Sequence, residues 1–208
     1  QIHPRDVGVE LAKQCDIPIF ESIAQALTLD GTELAVDGVL LIGEHGEYAW
    51  NEKGQHLYPR RYFFEQVCGV IAASGRSVPI FSDKHLAWNW DSAKWMYDRA
   101  KTLGVPFMAG SSLPVSYRNP GLEYELETAV TEAVSMAYGG LDSYGFHALE
   151  TLQCMVERRS GGETGIKRVQ CLEGTAVWEA GQAGRWSQDL FDAAAHHIEN
   201  RESGDPRQ

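Results

Sequence analysis

No stretch of this chain is apolar for the roughly 20 residues that a bilayer crossing takes. The longest apolar run, Val36 to Ile42, is interrupted by Asp37 and Gly38 and has the length of a strand. Basic residues are also short. Lys and Arg number 18 against 29 Asp and Glu, for a formal net charge of −11. Such a balance excludes a nucleic-acid footprint, which needs a basic patch, and a polybasic membrane anchor. Cysteine is scarce, at four in 208 residues: Cys15, Cys68, Cys154 and Cys171. None lie in CxxC spacing, so neither a zinc knuckle nor a disulfide framework is indicated. Buried reduced thiols are expected instead, with Cys68 and Cys154 inside apolar stretches. The polar opening Gln1 to Asp6 has no leader-like apolar segment, and a cytoplasmic location is expected. No Gly-x-Gly-x-x-Gly turn occurs anywhere.

What is present is a globular composition, 43% apolar and 23% charged. The first half alternates short apolar runs with amphipathic ones. Helices are expected over 6–14, with Val9, Leu11 and Ala12 inward, and after Ser22, a natural N-cap. Another is expected over 60–74, stopped by Gly75, and another over 91–103, with Ala93, Met96, Tyr97 and Ala100 inward and Gly104 as its stop. Strands are expected over 17–20, 36–42, 78–81 and 105–109. The run over 36–42 is apolar enough for a strand covered on both faces. Strand, helix, strand, helix, strand is the order of a doubly wound parallel sheet. Ligands in such sheets bind beyond the carboxyl ends of the strands. Those ends are Gly43-Glu44-His45, Asp83-Lys84-His85 and Gly110-Ser111-Ser112. The polar loop 43–59 is long for a connection, which marks it as a functional candidate.

Pro114, Asn119, Pro120 and Gly121 mark a boundary. Beyond it a strand is expected over 129–137, then Gly139-Gly140, a helix over 143–159, a strand over 169–172 and helices over 175–183 and 187–198. His196 and His197 are expected on the surface, and residues 200–208 as a disordered tail.

Two segments carry chemistry. Asp83-Lys84-His85-Leu86-Ala87 stands at a strand end and is followed by a helix and by Gly104 to Gly110. Gly139-Gly140-Leu141-Asp142-Ser143-Tyr144-Gly145-Phe146-His147 opens a helix in the second half. Together, in this order, they resemble the Gfo/Idh/MocA family of oxidoreductases. That family has an acid-Lys-Pro-Leu-Ala loop, where this chain has Asp83 for the usual Glu and His85 for the usual proline. It also has a Gly-Gly, Asp-x-Gly-x-His segment. There Gly145 and His147 match, but Ser143 stands four before the histidine and the acid comes one place earlier, at Asp142.

The resemblance implies an α/β protein. A partial Rossmann-like doubly wound sheet would fill the C-terminal part of a dinucleotide-binding domain, residues 1–113. The start of a second α+β domain would fill residues 114–199. It implies an NAD- or NADP-dependent dehydrogenase that moves a hydride between nicotinamide and a sugar-like or polyol hydroxyl. The intact protein would be a homo-oligomer. Lys84 would polarise the substrate oxygen, His147 would take its proton, and Asp142 would orient the pair. Gly43, Glu44, His45, Asp83 and Lys84 would lie along the cofactor, and His85, Ser143 and Tyr144 along the substrate. The glycine loop and most of the family's second-domain sheet have no counterpart here. That leads to the expectation of a piece cut at both ends, or of a divergent member. Two other readings follow from the same residues. One is a non-redox relative binding a sugar or nucleotide as sensor or scaffold, suggested by Ser143 and Glu44. The other is a metal-assisted lyase or hydrolase using Glu44, His45, Asp83, His85 and His147.

Overall fold

The computed structural model describes residues 7–43, 46–198 and 204. Glu44, His45 and almost all of the expected tail lie outside them. The chain divides between Ser112 and Leu113 into two compact units.

In the first unit the elements run α1 (Val7–Gln14), α2 (Ile23–Thr28), β1 (Val39–Leu41), α3 (Arg60–Ser74), β2 (Ile80–Asp83), α4 (Trp90–Thr102) and β3 (Phe107–Gly110). The sheet is parallel, three-stranded and ordered β1-β2-β3. Each cap is local chemistry. Ser22 Oγ accepts from Gln25 N at 3.2 Å and Asn89 Oδ1 accepts from Ser92 N at 2.7 Å, each relieving an orphan amide of the first turn. α3 ends at Gly75, whose φ of 63° suits a residue without a Cβ.

α3 buries Phe64, Val67, Cys68 and Ile71, the helical spacing of one face. α4 adds Met96 and Ala100. These close over Leu41, Val78, Ile80 and Val105 to form the core, with the rings of Phe64 and Phe107 5.2 Å apart. Removing a fully buried side chain such as Phe64 from a core of this kind costs about 3–5 kcal/mol.

Several expectations change. Among the described residues of the first unit, only one face of the sheet is covered. Side chains alternate along a strand, and α3 and α4 cover only the face that carries Leu41, Ile80 and Ser82. Leu40, Phe81 and Met108, laterally paired across the three strands, line an open groove of about 570 Å³, with Leu40 75% and Met108 63% exposed. Tyr97 on α4 is exposed rather than inward. α1 buries no residue; Leu11 is 56% exposed. Residues 17–20 form no strand among the described residues, because an apolar run becomes a strand only where a neighbour takes its hydrogen bonds.

In the second unit α5 (Phe146–Val156), α6 (Thr175–Gln182) and α7 (Gln188–His196) follow a short 3₁₀ turn (Leu113–Val115) and a π turn (Leu141–Gly145). Trp178, Trp186 and Phe191 pack edge-on and tilted at 5.5 to 6.1 Å and join α6 to α7. Trp186 Nε1 donates to Val177 O at 2.9 Å. The strands expected over 129–137 and 169–172 form no ladder among the described residues. Among the described residues the second unit has one isolated bridge, Thr128 to Arg159. The helix expected from 143 opens as the π turn, so the α-helix starts later. Cys68 is buried and Cys154 half-buried. Cys15 and Cys171 are exposed, against the expectation, and all four are free of disulfides.

Candidate functional site at the carboxyl edge of the sheet

The register places Leu41 beside Ser82, and Asp83 beside Gly110. The three strands therefore release their chains at one edge. Beyond β1 the chain passes close over α3: a Cβ on Gly43 would stand 3.3 Å from the Phe63 ring. The loop that follows is not irregular. Trp50 and His56 form an antiparallel bridge, and Leu57 N donates to Ala49 O at 3.0 Å. The reversal closes on Asn51, whose Oδ1 accepts from Lys53 N and Gln55 N, both at 3.0 Å. Gln55 Nε2 then donates to Trp88 O at 2.8 Å and ties this turn to the β2–α4 loop.

Four polar residues are buried near this edge. His56 is 8% exposed. Its ring stacks on Trp50 at 4.3 Å and 5° and lies 4.2 Å from Tyr58. Its Nε2 is 3.2 Å from Tyr48 N and 2.9 Å from Tyr48 O, so either tautomer has a backbone partner. Arg60, the first residue of α3, is 4% exposed. Its Nη1 donates to Asp83 O at 3.3 Å, and its guanidinium lies 5.6 Å from the Tyr58 ring centre. One cation thus ties the start of α3 to the end of β2. His85 is 8% exposed with its ring 6.2 Å from Tyr58, and Ser111 follows β3 at 6%. Half-buried Lys84 stands between Asp83 and His85, directly after the central strand.

Asp83, Lys84 and His85 therefore share the edge with Gly43. Ser111 stands at the third strand end expected from the sequence, and His56 and Tyr58 in the loop marked there without being named; Arg60 was not a sequence candidate. Arg60 carried a readable signal: Pro59-Arg60-Arg61 puts two cations in the first turn of a helix, against its dipole. That placement is favourable only when another contact holds the charge.

The second unit carries Asp142, Ser143, Tyr144 and His147 within the π turn and the start of α5. His147 is half-buried, and the Tyr144 ring meets it edge-on at 6.2 Å and 61°. Tyr138 lies 5.4 Å beyond Tyr144. A cavity of about 330 Å³ is lined here by Leu113, Met136, Tyr138, Tyr144, His147 and Thr151. Among the described residues no three His, Cys, Asp or Glu side chains gather as a metal set. No helix among them is long and apolar enough to cross a membrane.

These features define an α/β protein with a parallel three-stranded sheet and a polar carboxyl edge. Comparison with known proteins finds no matching family model, no similar curated protein and no similar solved structure.

Proposed function

We propose that this chain belongs to a nicotinamide-dependent oxidoreductase acting on a sugar-like or polyol hydroxyl, in a Rossmann-like sheet. The observation that carries this reading is the position of Lys84. It follows the last residue of the central strand of a parallel sheet, where ligands of such sheets bind. Its ammonium is assigned the polarisation of the substrate oxygen. Gly43, Asp83 and Lys84 suit the nicotinamide end, since the edge combines close backbone approach with buried polar side chains. They do not suit the pyrophosphate, which needs a row of backbone amides at a glycine turn. When bound, the cofactor supplies the hydride acceptor; His85 is assigned to the substrate.

The test is turnover of NAD⁺ or NADP⁺ with a panel of polyols and sugars by the intact protein. Lys84→Met is expected to lower kcat by about 10² to 10⁴ with little change in cofactor affinity. Unchanged kcat rejects the assignment. Without a Gly-x-Gly-x-x-Gly turn the chain is expected to hold the cofactor weakly, and micromolar binding in calorimetry contradicts this. Ser143, at the place four before His147, favours a second reading, a non-redox sugar or nucleotide binder. Cofactor or sugar binding without turnover in the same assays selects it.

A further inference from the structure

The ring cluster of the second unit also walls a cavity, of about 560 Å³. That lies within the roughly 300–1,000 Å³ of small-molecule sites. Part of its lining is the junction of α6 and α7, with Trp178, Arg185, Trp186 and Phe191. Most of the rest is one continuous run, residues 132–137.

The apolar part of the lining is fixed before any ligand arrives. Trp186 Nε1 donates to Val177 O at 2.9 Å. Gly181 is buried, and a side chain there would collide with the Trp186 ring, so the indole lies against the bare backbone of α6. Trp178 and Phe191 brace that ring at 6.1 and 5.7 Å. Rings held in this way give up little freedom when an apolar group settles on them.

The polar part of the lining is unspent. Residues 132–137 form no helix, turn or bend. Among the described residues their backbone N–H and C=O groups make no hydrogen bond to the protein. Such groups seek partners. Two opposite charges line the same cavity without meeting. Glu132 stands on the run and Arg185 at the α6–α7 junction, both exposed. Among the described residues neither side chain has an ion-pair or hydrogen-bond partner. The Arg185 backbone is set by its own N–H, which donates to Ala180 O at 2.9 Å.

We infer that this cavity binds a small zwitterion with an apolar side chain, of the α-amino acid class. The carboxylate takes the forked donors of Arg185. The ammonium goes to Glu132, and the free backbone groups of 132–137 take up the remaining hydrogen bonds. The side chain lies on the rings of Trp178, Trp186 and Phe191. A simple acid or a simple amine uses only one of the two charges, and a neutral apolar molecule uses neither. The site shares no residue with the oxidoreductase reading, so the two stand or fall separately.

Calorimetry on the whole chain tests this with L-phenylalanine, 3-phenylpropanoate and 2-phenylethylamine, which share a side chain and differ in charge. L-phenylalanine is expected to bind once per chain, and each singly charged analogue about tenfold more weakly. Arg185→Gln is expected to weaken L-phenylalanine and 3-phenylpropanoate by about tenfold and to leave 2-phenylethylamine unchanged. Glu132→Gln is expected to weaken L-phenylalanine and 2-phenylethylamine and to leave 3-phenylpropanoate unchanged. Both residues are exposed, so the fold survives either change, and the far-UV spectrum checks that. No saturable binding of L-phenylalanine at millimolar concentration overturns the site. An analogue that binds as tightly as L-phenylalanine overturns the zwitterion. Unchanged L-phenylalanine affinity in either variant overturns the charge assignment.

Discussion

Cys68 shows how burial rather than spacing sets the character of a side chain. Its thiol sits on α3 inside the core, and burial pushes its pKa from 9.0 to about 11. The positive charge of Arg99 works against that shift and Glu65 adds to it. The sign of the stability effect follows. Between pH 9 and 11 the unfolded chain loses this proton while the folded chain keeps it, so the folded state binds more protons and stability falls with rising pH. The contribution is whole below pH 9 and amounts to about 2–3 kcal/mol across the window. In denaturant titrations Cys68→Ala is expected to flatten the decline between pH 9 and 11, and an unchanged slope contradicts this account. Ser82 is a second buried polar residue of the core. It is fully buried on β2, and its hydroxyl has no hydrogen-bond partner among the described residues.

At the scale of elements, the helices stand on their caps and their apolar faces, and both are local in sequence. Gly75 stops α3 in the left-handed region, and the space around it is open. Gly75→Ala is therefore expected to cost about 1–2 kcal/mol from backbone strain alone, read as a lower midpoint in urea unfolding with unchanged slope. No loss of stability would show that the chain leaves α3 by another path. Arg60 belongs to this scale too. Its bond to Asp83 O joins a helix start to a strand end 23 positions away in sequence. The turn over Trp50 to His56 is held by side-chain stacking and by Asn51, and these connections make a long polar loop into an ordered wall of the edge.

For the whole molecule, the uncovered face of the sheet is the largest departure from the expected layering. Leu40, Phe81 and Met108 form a continuous apolar strip across three strands. Contiguous exposed apolar surface of this kind binds apolar dyes. The folded chain is expected to enhance anilinonaphthalene sulfonate fluorescence, and Leu40→Ser with Met108→Ser to remove most of the enhancement while the far-UV spectrum stays the same. Equal dye binding by the double variant places the apolar surface elsewhere. The two units differ in what holds them. The first is organised by a parallel sheet under α3 and α4. The second is organised by the indole and phenyl rings between α6 and α7.

The sequence by itself determined α2, α3, α4, α6 and α7, because caps, stops and helical spacing are read over a few residues. Ser22, Gly75, Asn89, Gly104 and Ser187 each act on their own turn. It also determined the parallel α/β order of the first unit and the place of Lys84 at a strand end; that this strand is the central one came from the structure. Pairing was decided only in three dimensions. The apolar runs over 17–20, 129–137 and 169–172 look like β1 or β3 in sequence, but strand formation needs a neighbour that accepts and donates along the whole edge. Burial of His56, Arg60 and Ser111 was likewise decided by elements distant in sequence closing over them. The π turn is a third case. Its residues do not announce the wider spacing that Leu141–Gly145 adopts.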